Sequence, residues 1–171
     1  AECPREELIN KLRPLVTAYD AWIEREAGRI DDPDERLDQY RDAADIAIER
    51  CRSTRDRIEQ GLQLLDEDDQ VAEAFQFMNR AMWLQRTHSI FSEQVRRDGE
   101  PDFDEEIDIE ENRRWYPFQL TFVILNLAPM AQLDHPDRSP SQNAIADLIF
   151  FPTGGGKTEA YLGLAAYTMA I

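Results

Sequence analysis

The chain has 171 residues, a formal charge of −16 and only two cysteines, Cys3 and Cys51. That length holds one domain or one and a half; the acidic balance argues against a basic nucleic-acid groove on this segment; the cysteines are too few for a disulfide framework or zinc site. No run reaches the length a bilayer requires and no basic-then-apolar leader opens the chain, so a cytoplasmic protein without a membrane partner is expected.

Residues 5 to 30 read as a helix, with Leu8, Leu12, Leu15, Tyr19 and Trp22 at spacings of three and four. Pro14 interrupts the pattern and predicts a kink or restart. Asp31, Asp32 and Pro33 punctuate the chain before a second helix, from about Pro33 to Leu65. Its stripe runs Leu37, Tyr40, Ala44, Ile48, Cys51, Ile58, Leu62 and Leu65, with Arg55 on the same line and Gly61 as a soft spot near the end. Asp66 to Asp69 is an acidic turn suited to cap a third helix, from about Gln70 to Arg97.

That third helix carries Val71, Ala74, Phe75, Met78, Met82, Gln85 and Ser89 on one side and Phe77, Ala81, Leu84, His88 and Phe91 on the next. Its aromatic and methionine content invites a cofactor or partner groove, but long antiparallel helices must bury such a face on each other, so a core is the better reading. A helical hairpin or three-helix bundle is therefore expected over residues 4 to 97, within an accessory domain of residues 1–97. His88 and His135 have no ligand-spaced partners.

Between Asp98 and Glu111 nine side chains are acidic and none is basic. Residues 98–114 read as a solvated acidic linker, with an acidic flap over a basic groove elsewhere in a larger protein as the sharper alternative. From Pro117 to about Leu127 a helix apolar on all sides belongs in a core. Ala128 and Pro129 end it, and residues 131 to 143 form a polar loop.

The last stretch is the most informative. The apolar run 144–151 reads as a strand; the glycine turn Pro152-Thr153-Gly154-Gly155-Gly156-Lys157-Thr158 follows, and a helix runs from Glu159 to Ile171. Strand, glycine turn, Lys-Thr and helix is the layout of a P-loop. Glycines let successive N–H groups turn inward around phosphates, and the helix aims its N-terminal partial charge at the same place. On this reading Thr153, Gly154, Gly155 and Gly156 cradle the phosphates, Lys157 reaches them as a point charge, and Thr158 ligates Mg²⁺; Lys157 and Thr158 are the catalytic candidates. Of nineteen basic residues only Lys11 and Lys157 are lysines, so an ammonium inside this turn answers a specific demand. Phe151 stands where the general motif has its first glycine.

The turn resembles motif I of superfamily 2 helicases and translocases, in which that first position is relaxed. Upstream, Tyr116-Pro117-Phe118-Gln119 resembles the segment that opens the first RecA-like domain in many of these proteins. The resemblance implies that Gln119 hydrogen-bonds adenine, with Arg114 placed to assist; alone, Gln119 would be an ordinary surface glutamine. The longer strings Ala146 to Leu164 and Arg114 to Leu120 are similar to the helicase-like subunit of DISARM phage-defence systems. The resemblance covers roughly the last third of the chain.

The expected fold is therefore mainly α, an N-terminal antiparallel helical bundle followed by the truncated start of a RecA-like α/β domain over residues 115–171. The resemblance implies the N-terminal part of an ATP-dependent DNA helicase or translocase in anti-phage defence, with ATP and Mg²⁺ as cofactors. It would contact DNA through parts of a longer protein, and efficient hydrolysis would need motifs beyond Ile171. Two alternatives stand beside it: another P-loop NTPase with a helical insert, and a protein-interaction module docking a partner on residues 4 to 97. A lone strand at 145–151 must pack on helices, be distorted, or pair with a second copy.

Overall fold

The computed structural model describes residues 4–97, 99–139, 144–150, 152 and 154–171. Three long helices come first: α1 (Arg5–Arg29), α2 (Arg41–Glu67) and α3 (Asp69–Arg96). Two short ones, α4 (Pro117–Leu125) and α5 (Leu127–Ala131), and a final α6 (Lys157–Ala170) complete the set.

α1 and α2 run antiparallel and are laced along their edges by ion pairs. Arg13 meets Glu59, Arg55 meets Asp20, Arg52 meets Glu24 and Arg41 meets Asp31. Pro14 sits inside α1 without splitting it. The expected start of the second helix at Pro33 is instead a pair of 3₁₀ turns, Pro33–Glu35 and Asp38–Tyr40, the first capped by the Asp32 carboxylate on the Asp34 N–H. Arg55, which interrupts the apolar stripe, finds Asp20 and Asp56, so its charge leaves the core by pairing at the edge. Asp68 caps α3 through the N–H groups of Gln70 and Val71, as an acidic turn should.

The main core draws on every helix: Leu12 and Val16, Ile58, Leu62 and Leu65, Phe75 and Met78, Val123 and Ile124, Leu127 and Tyr167 are all buried. A smaller cluster of Ile23, Ile30 and Ile48 closes the far end of the α1–α2 pair. α3 packs most extensively on α6, while α4 lies on α2. Gly61 marks that second contact. A Cβ there would stand 2.1 Å from the Ile124 carbonyl oxygen, so the residue read as a soft spot is the point of closest approach between α2 and α4.

The expected strand and the RecA-like α/β start are not what forms. No strand occurs among the described residues; they are helical, turn or irregular, and 144–150 is irregular chain. The physical reason is the absence of a ladder: a strand needs a neighbour's N–H and C=O groups, and the surrounding elements are helices whose backbone groups are already used. What remains of the pattern is alternation. Asp147 and Ile149 are half-buried while Leu148 and Phe150 face outward. Phe151 lies outside the described residues.

In the acidic segment, Phe103 packs against His88 and Phe91 of α3, and Ile107 is fully buried. Asp102 caps the single π-helical turn Phe103–Ile107, leaving Asp104, Glu105 and Glu106 exposed. No helix among the described residues is long and apolar enough to cross a membrane.

Candidate nucleotide cleft

Two separate parts of the chain meet at the start of α6. The first is the glycine turn. Gly154 and Gly156 both have left-handed backbones, φ 84° and 83°, which an L side chain adopts only with strain. The turn closes with the Gly155 N–H donating to the Pro152 carbonyl at 3.1 Å. Gly156 is then the N-cap of α6, whose first-turn N–H groups have no intrahelical acceptor. Lys157 Nζ donates to the Pro152 carbonyl at 2.9 Å, folding its ammonium across the turn. Thr158 is exposed, Gly155 is half-buried, and Thr153 lies outside the described residues.

The second part is the start of α4. Pro117 occupies its first position, where a missing N–H costs nothing. Gln119 is buried, its side-chain carbonyl accepting from the Tyr116 N–H at 2.8 Å and its amide donating to the Gly156 carbonyl at 2.6 Å. One side chain therefore ties the two stretches together across 37 residues. Gly156 is fixed for a further reason: a Cβ there would stand 2.6 Å from Gln119 Nε2. A primary amide has two donors and two acceptor lone pairs, so Gln119 keeps one of each.

The segment leading into the turn is pinned from behind. Arg57 of α2 donates two bonds of 2.7 Å to the Asp147 carboxylate and lies 2.9 Å from Asp137. The three side chains are only 13%, 23% and 17% exposed. The hydrogen bonds from Asp147 raise the Arg57 pKa against the opposing effect of burial. Without a sheet, this bidentate fork anchors residues 144–150 together with two backbone bonds, from the Ala144 N–H to the Ser139 carbonyl and from the Ile145 N–H to the Asp137 carbonyl.

An open cleft of about 1340 Å³ runs along α3 past this junction, bordered by Gly154, Gly156, Gln119 and Glu159. Its other wall carries Phe77, Arg80, Trp83 and Arg86, with Arg113, Arg114, Trp115 and Tyr116 closing one side. Phe77 and Tyr116 are exposed aromatics, 54% and 62%. Trp115 is locked by its indole N–H on Asn79 at 2.8 Å and by its ring against Gly163. Asp108 holds Trp83 and Arg113 together: it accepts the indole N–H at 2.5 Å and Arg113 Nε at 2.7 Å, and the guanidinium covers the Trp83 ring 4.9 Å from its centre. Desolvation pushes the Asp108 carboxyl up, but those hydrogen bonds prevail and hold it below the ordinary carboxylate range.

The structure thus brings Gln119, Gly154, Gly156 and Lys157 to one place, with Thr158 one residue further on. It adds residues that the sequence alone does not single out: Arg80, Trp83 and Arg86. Arginines and aromatics on a long amphipathic helix read as ordinary surface and core, and only the docking of α6 shows which of them share a cleft with the turn.

A helical chain with a glycine turn capping an α-helix beside an open cleft defines the class: a candidate anion-binding, nucleotide-sized site. No family model matches the chain. It is 37% identical over 167 residues to the DISARM protein DrmA of Bacillus paralicheniformis. That alignment takes in 96% of this chain, which spans 14% of the length of the relative. The chain is DISARM-related over nearly its full extent, including the helical residues for which the sequence offered no likeness.

Proposed function

We propose that the cleft binds the phosphates of a nucleoside triphosphate, ATP by the resemblance of its motifs, and that the chain is part of an ATP-dependent DNA helicase or translocase in anti-phage defence. The defence role rests on the similarity to a DISARM protein; the motor role rests on the motif I and glutamine-segment resemblance. One observation supports the nucleotide reading: Gln119 bridges the Tyr116 N–H to the Gly156 carbonyl, so that the two stretches that resemble nucleotide-binding motifs lie against each other.

The residues fit the group. Two left-handed glycines and the N-terminal end of α6 turn donors toward oxyanions, and the Lys157 ammonium adds a full charge. The remaining donor and acceptor of Gln119 match an adenine edge, and Tyr116 offers an exposed ring beside it. Among the described residues no cluster of three or more acidic, histidine or cysteine side chains could hold a metal. By the motif resemblance Mg²⁺ would arrive with the nucleotide and take Thr158 as its protein ligand, which suits an ion that keeps most of its waters. When bound it neutralises phosphate charge. Lys157 and the turn hold and orient the phosphates; DNA contact and hydrolysis are assigned to parts of a longer protein.

The test is nucleotide binding by the full-length protein. Lys157→Ala removes one charge-assisted contact and is expected to weaken ATP binding by roughly a hundredfold. Unchanged affinity, measured by calorimetry with Mg²⁺ present, would overturn the reading.

A further inference from the structure

The opposite wall of the cleft has a chemistry of its own. In a chain of charge −16, most arginines are paired with a carboxylate, as along the α1–α2 edge. Arg80 and Arg86 carry no ion pair or hydrogen bond among the described residues, and both are exposed and line the cleft.

Their height along α3 is set by its packing on α6. Gln70 Nε2 donates to the Ile171 carbonyl at one end, and a Cβ on Gly163 would lie 3.5 Å from Met78 Sδ. Eight residues separate the two contacts on each helix, which is an antiparallel register of equal rise. Six residues further, the first residue of α6, Lys157, comes level with residue 84 of α3, between Arg80 and Arg86. The α3 arginines thus bracket Lys157 in height, in a cleft that the glycine turn also lines.

Charge gives them a role. The cleft is lined by Glu73, Glu111 and Glu159 and by four arginines, of which Arg113 is held by Asp108 and Arg114 by Glu110. Without Arg80 and Arg86 the lining would have three carboxylates and only cations already neutralised. A polyphosphate would be repelled from it. With them, two unneutralised guanidinium forks line the same cleft as the turn, and such forks bind phosphate oxygens in pairs.

We infer that Arg80 and Arg86 are phosphate-binding residues, which take the oxyanions of the bound nucleoside triphosphate that face away from the glycine turn. The helical part of the chain thereby supplies one wall of the nucleotide site. This rests on the nucleotide reading above.

The experiment measures binding, not turnover. Full-length protein, wild type and carrying Arg80→Gln, Arg86→Gln or both, is titrated with ATP, tripolyphosphate and adenosine. Each single change is expected to weaken ATP and tripolyphosphate about tenfold and leave adenosine unchanged, with a shallower salt dependence in the double variant. Arg→Lys at either position keeps charge without the fork and recovers part of the loss. Both side chains are exposed and unpaired, so circular dichroism should show an intact fold. Wild-type binding of ATP that the double variant matches overturns this inference alone; loss of adenosine binding together with ATP also overturns it, since the arginines would then act on the base. A wild-type protein that binds no nucleotide removes the inference together with the reading beneath it.

Discussion

α2 holds α1 and the C-terminal half of the chain in different ways. Toward α1 it presents a ladder of exposed ion pairs above an apolar stripe; toward the C-terminal half the apolar core is joined by one close-packed glycine and one half-buried arginine. The first contact is distributed and each rung is weak, since solvent screens exposed pairs to a fraction of a kcal/mol. The second is concentrated. Gly61 lets the Ile124 backbone approach, and Arg57 anchors the segment that carries the glycine turn. A protein built this way tolerates change on one side of a helix and not on the other.

The sharpest way to break that contrast is Gly61→Ala. One methyl group would collide with a backbone oxygen, which cannot swing aside as a side chain can, and a loss of about 3 kcal/mol is expected. Chemical denaturation measures it; a loss below half that figure would mean that α4 slides freely on α2. Next comes Arg57→Ala, which leaves Asp137 and Asp147 facing each other. Breaking a fully buried pair costs roughly 3–5 kcal/mol, and their partial access to water brings the expected loss to about 2 kcal/mol. Amide exchange should accelerate in residues 144–150 while the α1–α2 pair keeps its protection. Arg52→Ala, which removes one rung of the ladder, is expected to change stability by less than about 0.5 kcal/mol.

The smallest effect concerns pH. The Asp108 carboxyl is held low in the folded chain, so its contribution is complete above the unfolded-state value near 3.8 and is lost as pH falls through the folded value. The Trp83 indole N–H resonance reports on it, since Asp108 is its acceptor. It should stay fixed down to about pH 4 and shift only below that. Movement starting well above pH 4 would show that the Trp83 and Arg113 bonds do not stabilise the ionised form.

The same division explains what was legible in the sequence. The long helices follow from local periodicity, and the Asp68 cap and the all-apolar α4 were readable because each depends on neighbours a few residues away. The apolar run before the glycine turn has the composition of a strand but does not form one, because a strand is a property of two paired segments, and nothing within 144–150 tells that α2 holds it by an arginine 90 residues earlier. α3 was half legible. Val71, Ala74, Phe75, Met78 and Met82 are buried as their spacing requires, whereas Phe77 and Leu84 are exposed, 54% and 42%. Gln119 and Lys157 stood out by their motifs; Arg80 and Arg86 did not, because an arginine on a helix surface carries no mark of what will face it. Gly61 could have been found by one signal, a helix-breaking residue kept inside a long helix, which points to close packing.

The bond between Gln119 and the Gly156 carbonyl has a consequence for the turn itself. A carbonyl and the next residue's N–H share one rigid trans peptide plane and point opposite ways. Tethering that oxygen therefore sets the bearing of the Lys157 N–H, and it forbids the half-rotation to which glycine-rich loops are prone. Such a flip would swap a donor for a lone pair and turn an anion away. Gln119 thus acts as a stop on a hinge, keeping that peptide in one orientation.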